Sequence, residues 1–191
     1  MMAGDARLFV LATLDRLGEA HGHEVTREAA IDRTENWAHV SQGALYAALR
    51  RCERDGLITP VRTEQIGRFP ARTVYRLTEH GQGVLAQSRT DAWRRTGLPP
   101  DPFDLALSVA CGHDPTELRA AIHDRLTQYQ TALHELQSEF EVLKTRLEPT
   151  AIAVFEHVML RHQTEIDWHR RLLEQVDTFS IRRQHQELDL Q

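Results

Sequence analysis

An apolar seam between residues 122 and 147 restricts what this chain can fold into more than any other feature. Its members recur at alternating steps of four and three residues, at Ile122, Leu126, Tyr129, Leu133, Leu136, Phe140, Leu143 and Leu147. This heptad spacing predicts one long α-helix with a narrow apolar face. Pro149 interrupts the helix, and a second stripe follows at Ile152, Phe155, Met159, Ile166, Leu173 and Val176. Two such helices have little core of their own, so we expect them to pack on each other and to self-associate.

Charge divides the chain into two unlike halves. Residues 1–95 carry 14 arginines against 12 acidic residues, a net +2, whereas residues 96–191 carry 9 basic and 16 acidic residues, a net −7. Residues 41–76 alone hold seven arginines and three acids, a local +4. A basic window in an acidic chain indicates an anionic partner such as nucleic acid.

Composition argues against several other classes of protein. Hydrophobic residues at 41% and charged residues at 27% are ordinary for a folded globular chain. No apolar run reaches the roughly 18 residues of a membrane span, and no secretory signal is visible, so we expect a cytoplasmic protein without a membrane partner. Cys52 and Cys111 are too few for a disulfide framework or a four-cysteine zinc site, and we expect both to be small core residues.

Proline, glycine and helix-capping residues predict where the helices and strands begin and end. Three prolines and a glycine between residues 96 and 102 predict a boundary between domains 1–95 and 96–191. The first domain is predicted to contain helices 6–17, 24–35 and 42–55, strands 57–63 and 72–77, and a helix from 79 to about 95. Ser41 and Thr78 are good N-caps, and Gly56 is a good helix end. A helix that begins with proline is expected at Pro115.

The third predicted helix has two chemically different faces. The inward positions, spaced i, i+4 and i+7, are Leu45, Leu49 and Cys52. The outward positions, spaced i, i+4 and i+8, are Gln42, Tyr46 and Arg50. An amide, a phenol and a guanidinium can contact base edges and phosphates, and free N–H groups at the helix start favour phosphate. Periodicity alone leaves open that this face is merely solvated.

The hairpin that follows this helix carries Arg68 and Arg72 at its tip. A helix-turn-helix followed by a basic hairpin is a winged helix-turn-helix, in which the third helix enters the major groove and the wing reaches the backbone or the minor groove. The predicted fold is therefore mainly α, with an N-terminal winged helix-turn-helix of three helices and a β-hairpin wing. A C-terminal long-helix dimerisation domain follows it.

Two continuous runs within this first half carry a recognisable motif. Residues 41–58 read Ser-Gln-Gly-Ala-Leu-Tyr-Ala-Ala-Leu-Arg-Arg-Cys-Glu-Arg-Asp-Gly-Leu-Ile, and residues 67–81 read Gly-Arg-Phe-Pro-Ala-Arg-Thr-Val-Tyr-Arg-Leu-Thr-Glu-His-Gly. They resemble the recognition helix and the wing of PadR-family transcriptional regulators. His21-Gly22 also fits that family's pattern, although His23 replaces its usual Tyr. The second half resembles, more loosely, the longer subfamily with a helical dimerisation domain.

The resemblance implies a homodimeric regulator, with repression favoured, that binds double-stranded DNA at an inverted-repeat operator. It places Ser41, Gln42, Tyr46 and Arg50 on DNA, with Arg68 and Arg72 in the wing, and gives Tyr75 and Leu77 packing roles. It also implies a possible small-molecule effector. The candidate lining residues are Trp93, Phe103, Phe155 and Trp168, although each of these side chains can equally be core or interface packing.

Other functions remain open at this stage. His162, Glu165 and His169 have spacings that can place metal ligands on one helix face, but the two histidines are two turns apart and fall on the seam, so seam histidines are favoured over a metal site. No catalytic motif or cofactor loop is visible, and no enzyme activity is expected. The remaining alternatives are a metal- or redox-responsive regulator, with oxidation at Cys52, and a winged-helix protein-interaction adaptor.

Overall fold

The computed structural model describes residues 2–31, 38, 40–65, 67, 70–110 and 114–188. The chain forms two compact units, residues 1–97 and 98–191. The helices and strands are α1 (Met2–Leu17), β1 (Glu19–His21), α2 (Gly22–Ile31), α3 (Gln42–Arg54), β2 (Ile58–Glu64), β3 (Arg72–Leu77), α4 (Glu79–Arg94), α5 (Pro102–Ser108), α6 (Pro115–Leu143) and α7 (Pro149–Leu188). The prediction of a mainly helical chain, with a winged helix first and long helices after it, is confirmed.

The N-terminal unit is built around α1. Four of its side chains have no exposed surface, namely Ala6, Val10, Leu11 and Leu14. They belong to one continuous apolar cluster with residues of α2, α3, α4 and the loop before β2, among them Val25, Leu45 and Leu85. Apolar burial of this kind is the main favourable contribution to folding. The core therefore holds α3 against α1 and leaves the opposite face of α3 in solvent.

A three-stranded antiparallel sheet, in the order β1-β3-β2, completes the unit. The sequence predicted only the two strands of the hairpin. The additional strand, β1, has three residues and pairs with β3, where Ala20 lies opposite Tyr75. Three residues are too few for an alternating pattern, so this strand is specified by its partner rather than by its own sequence.

The ends of α3 and α4 lie where the capping residues predicted them. The Ser41 hydroxyl oxygen accepts the N–H of Ala44 at 3.2 Å, and Gly56 follows α3 in a left-handed conformation with φ 70°. Thr78 Oγ1 accepts the N–H of Gly81 at 3.0 Å, and its hydroxyl donates to the carbonyl of Gly56 at 2.8 Å. One hydroxyl thus ties the end of α3 to the start of α4. Helix α2 begins two residues before the predicted start, and residues 32–35 of that prediction lie outside the described residues.

The C-terminal unit consists of the short helix α5 and the long pair α6 and α7. Helix α6 begins at Pro115, as predicted, but it ends at Leu143, so Leu147 of the predicted seam lies in the turn before α7, which begins at Pro149. Three separate apolar clusters join the long helices, around Ile122 with Val176, Leu133 with Ile166, and Leu136 with Phe155. This order of pairs makes the helices antiparallel. None of the described helices is both long and apolar enough to cross a bilayer.

Candidate nucleic-acid interface

Helix α3 presents one buried face and one exposed face, because its apolar positions recur at helical spacing. Its buried side chains are Leu45, Ala48, Leu49 and Cys52. Ser41, Gln42, Gly43 and Arg50 are exposed. The Ala44 and Leu45 amides bond to Ser41, so the amides of Gln42 and Gly43 lie ahead of the first hydrogen bonds of the helix. The start of α3 therefore offers backbone donors, a hydroxyl and an amide side chain to an acceptor-rich ligand.

The outward row of Gln42, Tyr46 and Arg50 is not uniform. Gln42 and Arg50 are exposed, whereas Tyr46, one turn from each, is half-buried. Its ring lies against Gly22, the first residue of α2. The two ends of the row are therefore free to reach a ligand, while the middle side chain also contacts the neighbouring helix.

The wing arginines differ in how far their charge is already balanced. Arg62 donates to carboxylate oxygens of Glu19 and Glu64, and these hydrogen bonds raise the pKa of its guanidinium. Arg72, at the start of β3, is half-buried and has no carboxylate partner within the described part of the chain. Arg68 lies outside the described residues. Arg62 therefore holds the hairpin to β1, whereas no described carboxylate pairs with the guanidinium of Arg72.

Glu53 and Tyr75 connect α3 to the wing. The Tyr75 hydroxyl donates to a Glu53 carboxylate oxygen at 3.1 Å, and burial followed by the nearby Glu53 charge raises the pKa of this tyrosine. Tyr75 and Leu77 also pack against the core of the unit, in agreement with their predicted packing role. The wing and the recognition helix are thus joined by a side-chain hydrogen bond as well as by the backbone.

Cys52 has the environment of an inert core residue. Its side chain is 1% exposed, and burial raises the pKa of the thiol to about 11. Because the thiolate is the reactive form, almost none of it is present near neutral pH. The environment disfavours the redox alternative at this position. Cys111 lies outside the described residues.

His169 is completely buried between α6 and α7, on the seam where the heptad pattern predicts it. Its Nδ1 lies 2.8 Å from the Glu165 carbonyl oxygen, and its Nε2 lies 3.0 Å from Nε of Arg125. Because arginine only donates, Nε2 accepts and Nδ1 carries the proton, which makes this imidazole neutral. Both ring nitrogens are therefore occupied by hydrogen bonds rather than open to a metal. Within the described ranges, no group of three potential ligands is placed to hold a metal ion.

Arg125 joins His169 to the start of α5. Its Nη2 donates to Asp101 Oδ2 at 2.6 Å and to the Tyr129 hydroxyl at 3.2 Å, and its guanidinium lies 4.4 Å from the ring centre of Phe103. Asp101 is also the N-cap of α5, and the N–H of Phe103, followed by Arg125, lowers the pKa of its carboxyl. Burial and then the charge of Glu165 raise the pKa of Tyr129. This network was not predicted from the sequence, because heptad spacing does not show which polar residues meet across two helices.

The four aromatic residues predicted to line an effector site do not form one cluster. Phe103 and Trp168 pack edge to face with ring centres 6.0 Å apart, and both contact His169. Phe155 instead packs on Phe140, in a different apolar cluster. Trp93 is 78% exposed and belongs to the other unit.

This chain resembles known proteins in sequence and in fold. A family profile described as "Transcriptional regulator PadR-like family" matches residues 10–87. A comparison with curated protein sequences gives no match.

Three solved structures, of two different proteins, match this chain over most of its length. PadR of Bacillus subtilis in complex with operator DNA is 23% identical and has a TM-score of 0.69, with 89% of this chain and 98% of that chain covered. The same protein in complex with p-coumaric acid is 21% identical and has a TM-score of 0.67, with 89% of this chain and 99% of that chain covered. The Vibrio cholerae virulence activator AphA is 17% identical and has a TM-score of 0.68, with 92% of this chain and 99% of that chain covered. At these identities the likeness concerns the fold.

The family match includes α3, the whole wing, half of α1 and just over half of α4, which together contain the exposed surface described above. The matched family consists of transcriptional regulators, not enzymes. Residues 10–87 of this chain therefore match the PadR-like transcriptional regulator family.

Proposed function

We propose that this regulator binds a specific DNA sequence through α3 and the wing. The observation that carries the proposal is the exposed edge of α3, where Ser41, Gln42 and Arg50 are free on a helix that the core holds from behind. Gln42 can read a base edge, and Arg50 can pair with guanine or with phosphate. The exposed amides at the start of α3 and the guanidinium of Arg72 add phosphate contacts, as we also expect of Arg68.

Binding-site selection tests this proposal. The full-length protein is incubated with a random duplex library, and the enriched sequence is used as the operator in titrations at several salt concentrations. We expect Arg50→Ala to weaken operator binding by about 1–3 kcal/mol if it reads a base, or to lower the salt slope by about one if it contacts phosphate. Arg170→Ala, an exposed arginine in the C-terminal unit, is the charge-matched control and should bind like the parent. Failure of the parent to enrich any sequence would contradict the proposal.

We also propose that the protein acts as a homodimer on a pseudo-palindromic operator. The C-terminal unit supports this, because large apolar side chains remain exposed on it, including Leu105 at 70%, Val142 at 75% and Leu160 at 64%. A two-fold dimer presents two α3 helices about one DNA turn apart, so the two halves of the selected sequence should be inverted and spaced by about 10 base pairs. Sedimentation equilibrium of the free protein measures the oligomeric state directly, and a monomer at micromolar concentration would contradict the dimer.

Repression with release by a small-molecule effector completes the proposal. The C-terminal unit contains a partly exposed cation, Arg125, against the ring of Phe103, which in turn packs on Trp168. This is a suitable environment for a small aromatic ligand. Release of the selected operator by added phenolic acids tests this. Trp168→Leu should lose any such response, whereas Trp93→Leu, in the other unit, should retain it. Transcription in vitro from a promoter containing the operator then separates repression from activation.

A further inference from the structure

Gly22 and Tyr46 form a close contact between the first helix of the helix-turn-helix and the recognition helix. A Cβ atom on Gly22 would lie 2.7 Å from Cε1 and 3.3 Å from Cδ1 of Tyr46, and 3.5 Å from Cδ1 of Leu49. The first distance is shorter than any ordinary carbon–carbon contact. Gly22 does not have a positive φ, so its backbone conformation does not require glycine. Glycine is required there because the tyrosine ring occupies the space that a Cβ atom would need.

The glycine sits on a rigid part of the fold. The N–H of Glu24 donates to His21 Nδ1 at 3.1 Å, and the N–H of His21 donates to Glu24 Oε2 at 2.9 Å. This reciprocal pair is a capping box with histidine in the place of the usual serine or threonine. His21 is 5% exposed and belongs to β1, which pairs with β3. The start of α2 is therefore fixed to the sheet at the residue that precedes Gly22.

The tyrosine occupies the middle of the outward row of α3, one turn from Gln42 and one turn from Arg50. Because a tyrosine side chain has few rotamers, a ring held against α2 restricts both the rotation of α3 about its axis and its distance from α2.

We propose that Tyr46 is a positioning residue for DNA recognition, whose ring, seated on Gly22, sets the orientation in which α3 presents Gln42 and Arg50. This inference rests on the proposed DNA-binding function. It assigns the effect of Tyr46 on binding to the ring and not to a hydrogen bond from its hydroxyl to DNA. A residue acting in this way contributes to the discrimination between sequences more than to general attraction for phosphate.

Four variants of the full-length protein test the inference: Tyr46→Phe, Tyr46→Ala, Gly22→Ala and the double variant Gly22→Ala/Tyr46→Ala. The probes are the operator selected by the parent and a duplex of scrambled sequence, each titrated at several salt concentrations. Thermal unfolding and circular dichroism establish whether each variant is folded.

We expect Tyr46→Phe to bind the operator within about twofold of the parent, because the ring remains in place. Tyr46→Ala and Gly22→Ala should each weaken operator binding by about tenfold or more, since base contacts from a displaced α3 are lost. Binding to the scrambled duplex and the salt slope should change little, because the number of phosphate contacts is unaltered. The double variant should bind no worse than Gly22→Ala alone, since the two substitutions act on one contact.

Three results would overturn the inference while leaving DNA binding intact. In the first, Tyr46→Phe loses as much affinity as Tyr46→Ala and lowers the salt slope by about one, which would make the hydroxyl a phosphate contact. In the second, Tyr46→Ala binds the operator like the parent. In the third, the effects of Gly22→Ala and Tyr46→Ala simply add in the double variant. A parent that selects no sequence overturns the proposed function itself, and the inference with it. If Gly22→Ala does not fold, the comparison of Tyr46→Phe with Tyr46→Ala still shows whether operator binding depends on the ring or on the hydroxyl.

Discussion

The two units of this chain arrange their buried residues differently. The N-terminal unit has one continuous apolar cluster, which extends from α1 to α4, and it also buries Thr13, His21 and Thr26. The C-terminal unit divides its apolar residues among three small clusters and places the fully buried His169, with Arg125 beside it, between its long helices. A continuous core holds one face of α3 firmly and frees the other for a ligand. A seam with a buried polar network depends instead on a few specific hydrogen bonds.

The largest expected effect concerns the tight packing of the N-terminal unit. A Cβ on Gly81 would lie 2.0 Å from the backbone carbonyl oxygen of Leu57 and 2.8 Å from Cδ2 of Leu77. Because backbone must move to admit it, we expect Gly81→Ala to lower the free energy of unfolding by about 3 kcal/mol or more. Urea unfolding followed by circular dichroism measures the difference.

Gly83 provides the matched control, since it lies two residues later in the same helix with nothing near its Cβ position. Gly83→Ala should raise the stability by up to about 1 kcal/mol, because alanine is the better helix former. Similar results for the two substitutions would show that the contact between α4 and the segment after α3 is looser than described.

The next effect concerns the buried network of the C-terminal unit. His169→Ala removes the acceptor of Arg125 and leaves both a cavity and an unpaired donor, so we expect a loss of about 2–3 kcal/mol in the free energy of unfolding. His157→Ala, an exposed position on the same helix, should stay within about 0.5 kcal/mol of the parent. Equal stabilities of these two variants, measured by urea unfolding, would mean that the network adds no net stability.

Local and long-range contacts differ in how well they could be predicted from the sequence. Ser41, Gly56 and Thr78 act on backbone within a few residues of themselves, so the helix ends near them were predicted well. Strand β1 was missed because its pairing with β3 is a tertiary contact. The link from Arg125 to His169 spans 44 residues of chain, and no spacing rule identifies which polar side chains meet across two helices.

The candidate site shows the same limit. Gln42 and Arg50 were predicted as exposed from helical periodicity, and they are exposed. The contact between Tyr46 and Gly22 depends on how α2 crosses α3, which periodicity does not specify. Aromatic composition identified the four candidate lining residues by type, but only Phe103 and Trp168 lie together, since type does not fix position.

Removal of a helix cap should affect both units alike in stability and only one of them in DNA binding. Ser41 caps α3 and Asp114 caps α6, so Ser41→Ala and Asp114→Ala should each cost about 1 kcal/mol in urea unfolding. Ser41→Asp keeps a good cap but adds a negative charge where we propose phosphate, so it should retain stability and lose operator affinity. Unchanged operator affinity in Ser41→Asp would place DNA away from the start of α3.

The smallest expected effect is the pH dependence of the Asp101–Arg125 ion pair. The N–H of Phe103 and the charge of Arg125 lower the pKa of Asp101 in the folded protein. The ionised carboxyl is therefore more stable in the folded protein than in the unfolded chain, where its pKa is near 3.8. The contribution to stability is therefore complete above about pH 4 to 5 and disappears as the pH falls through the lower folded pKa.

Asp101→Asn isolates this charge, because asparagine is as good an N-cap as aspartate. We expect the variant to be less stable than the parent by no more than about 1 kcal/mol at pH 7, since a third of the Asp101 side chain is exposed to water and the pair is partly screened. The difference should shrink towards zero as the pH falls through the lowered pKa of Asp101 in the folded protein, because the parent's carboxyl is then neutral as well. Asp124→Asn, at an exposed position of α6, is the control and should show no comparable convergence. A difference between Asp101→Asn and the parent that is independent of pH would mean that the amide fails as a cap, and that the ion pair with Arg125 does not stabilise the start of α5.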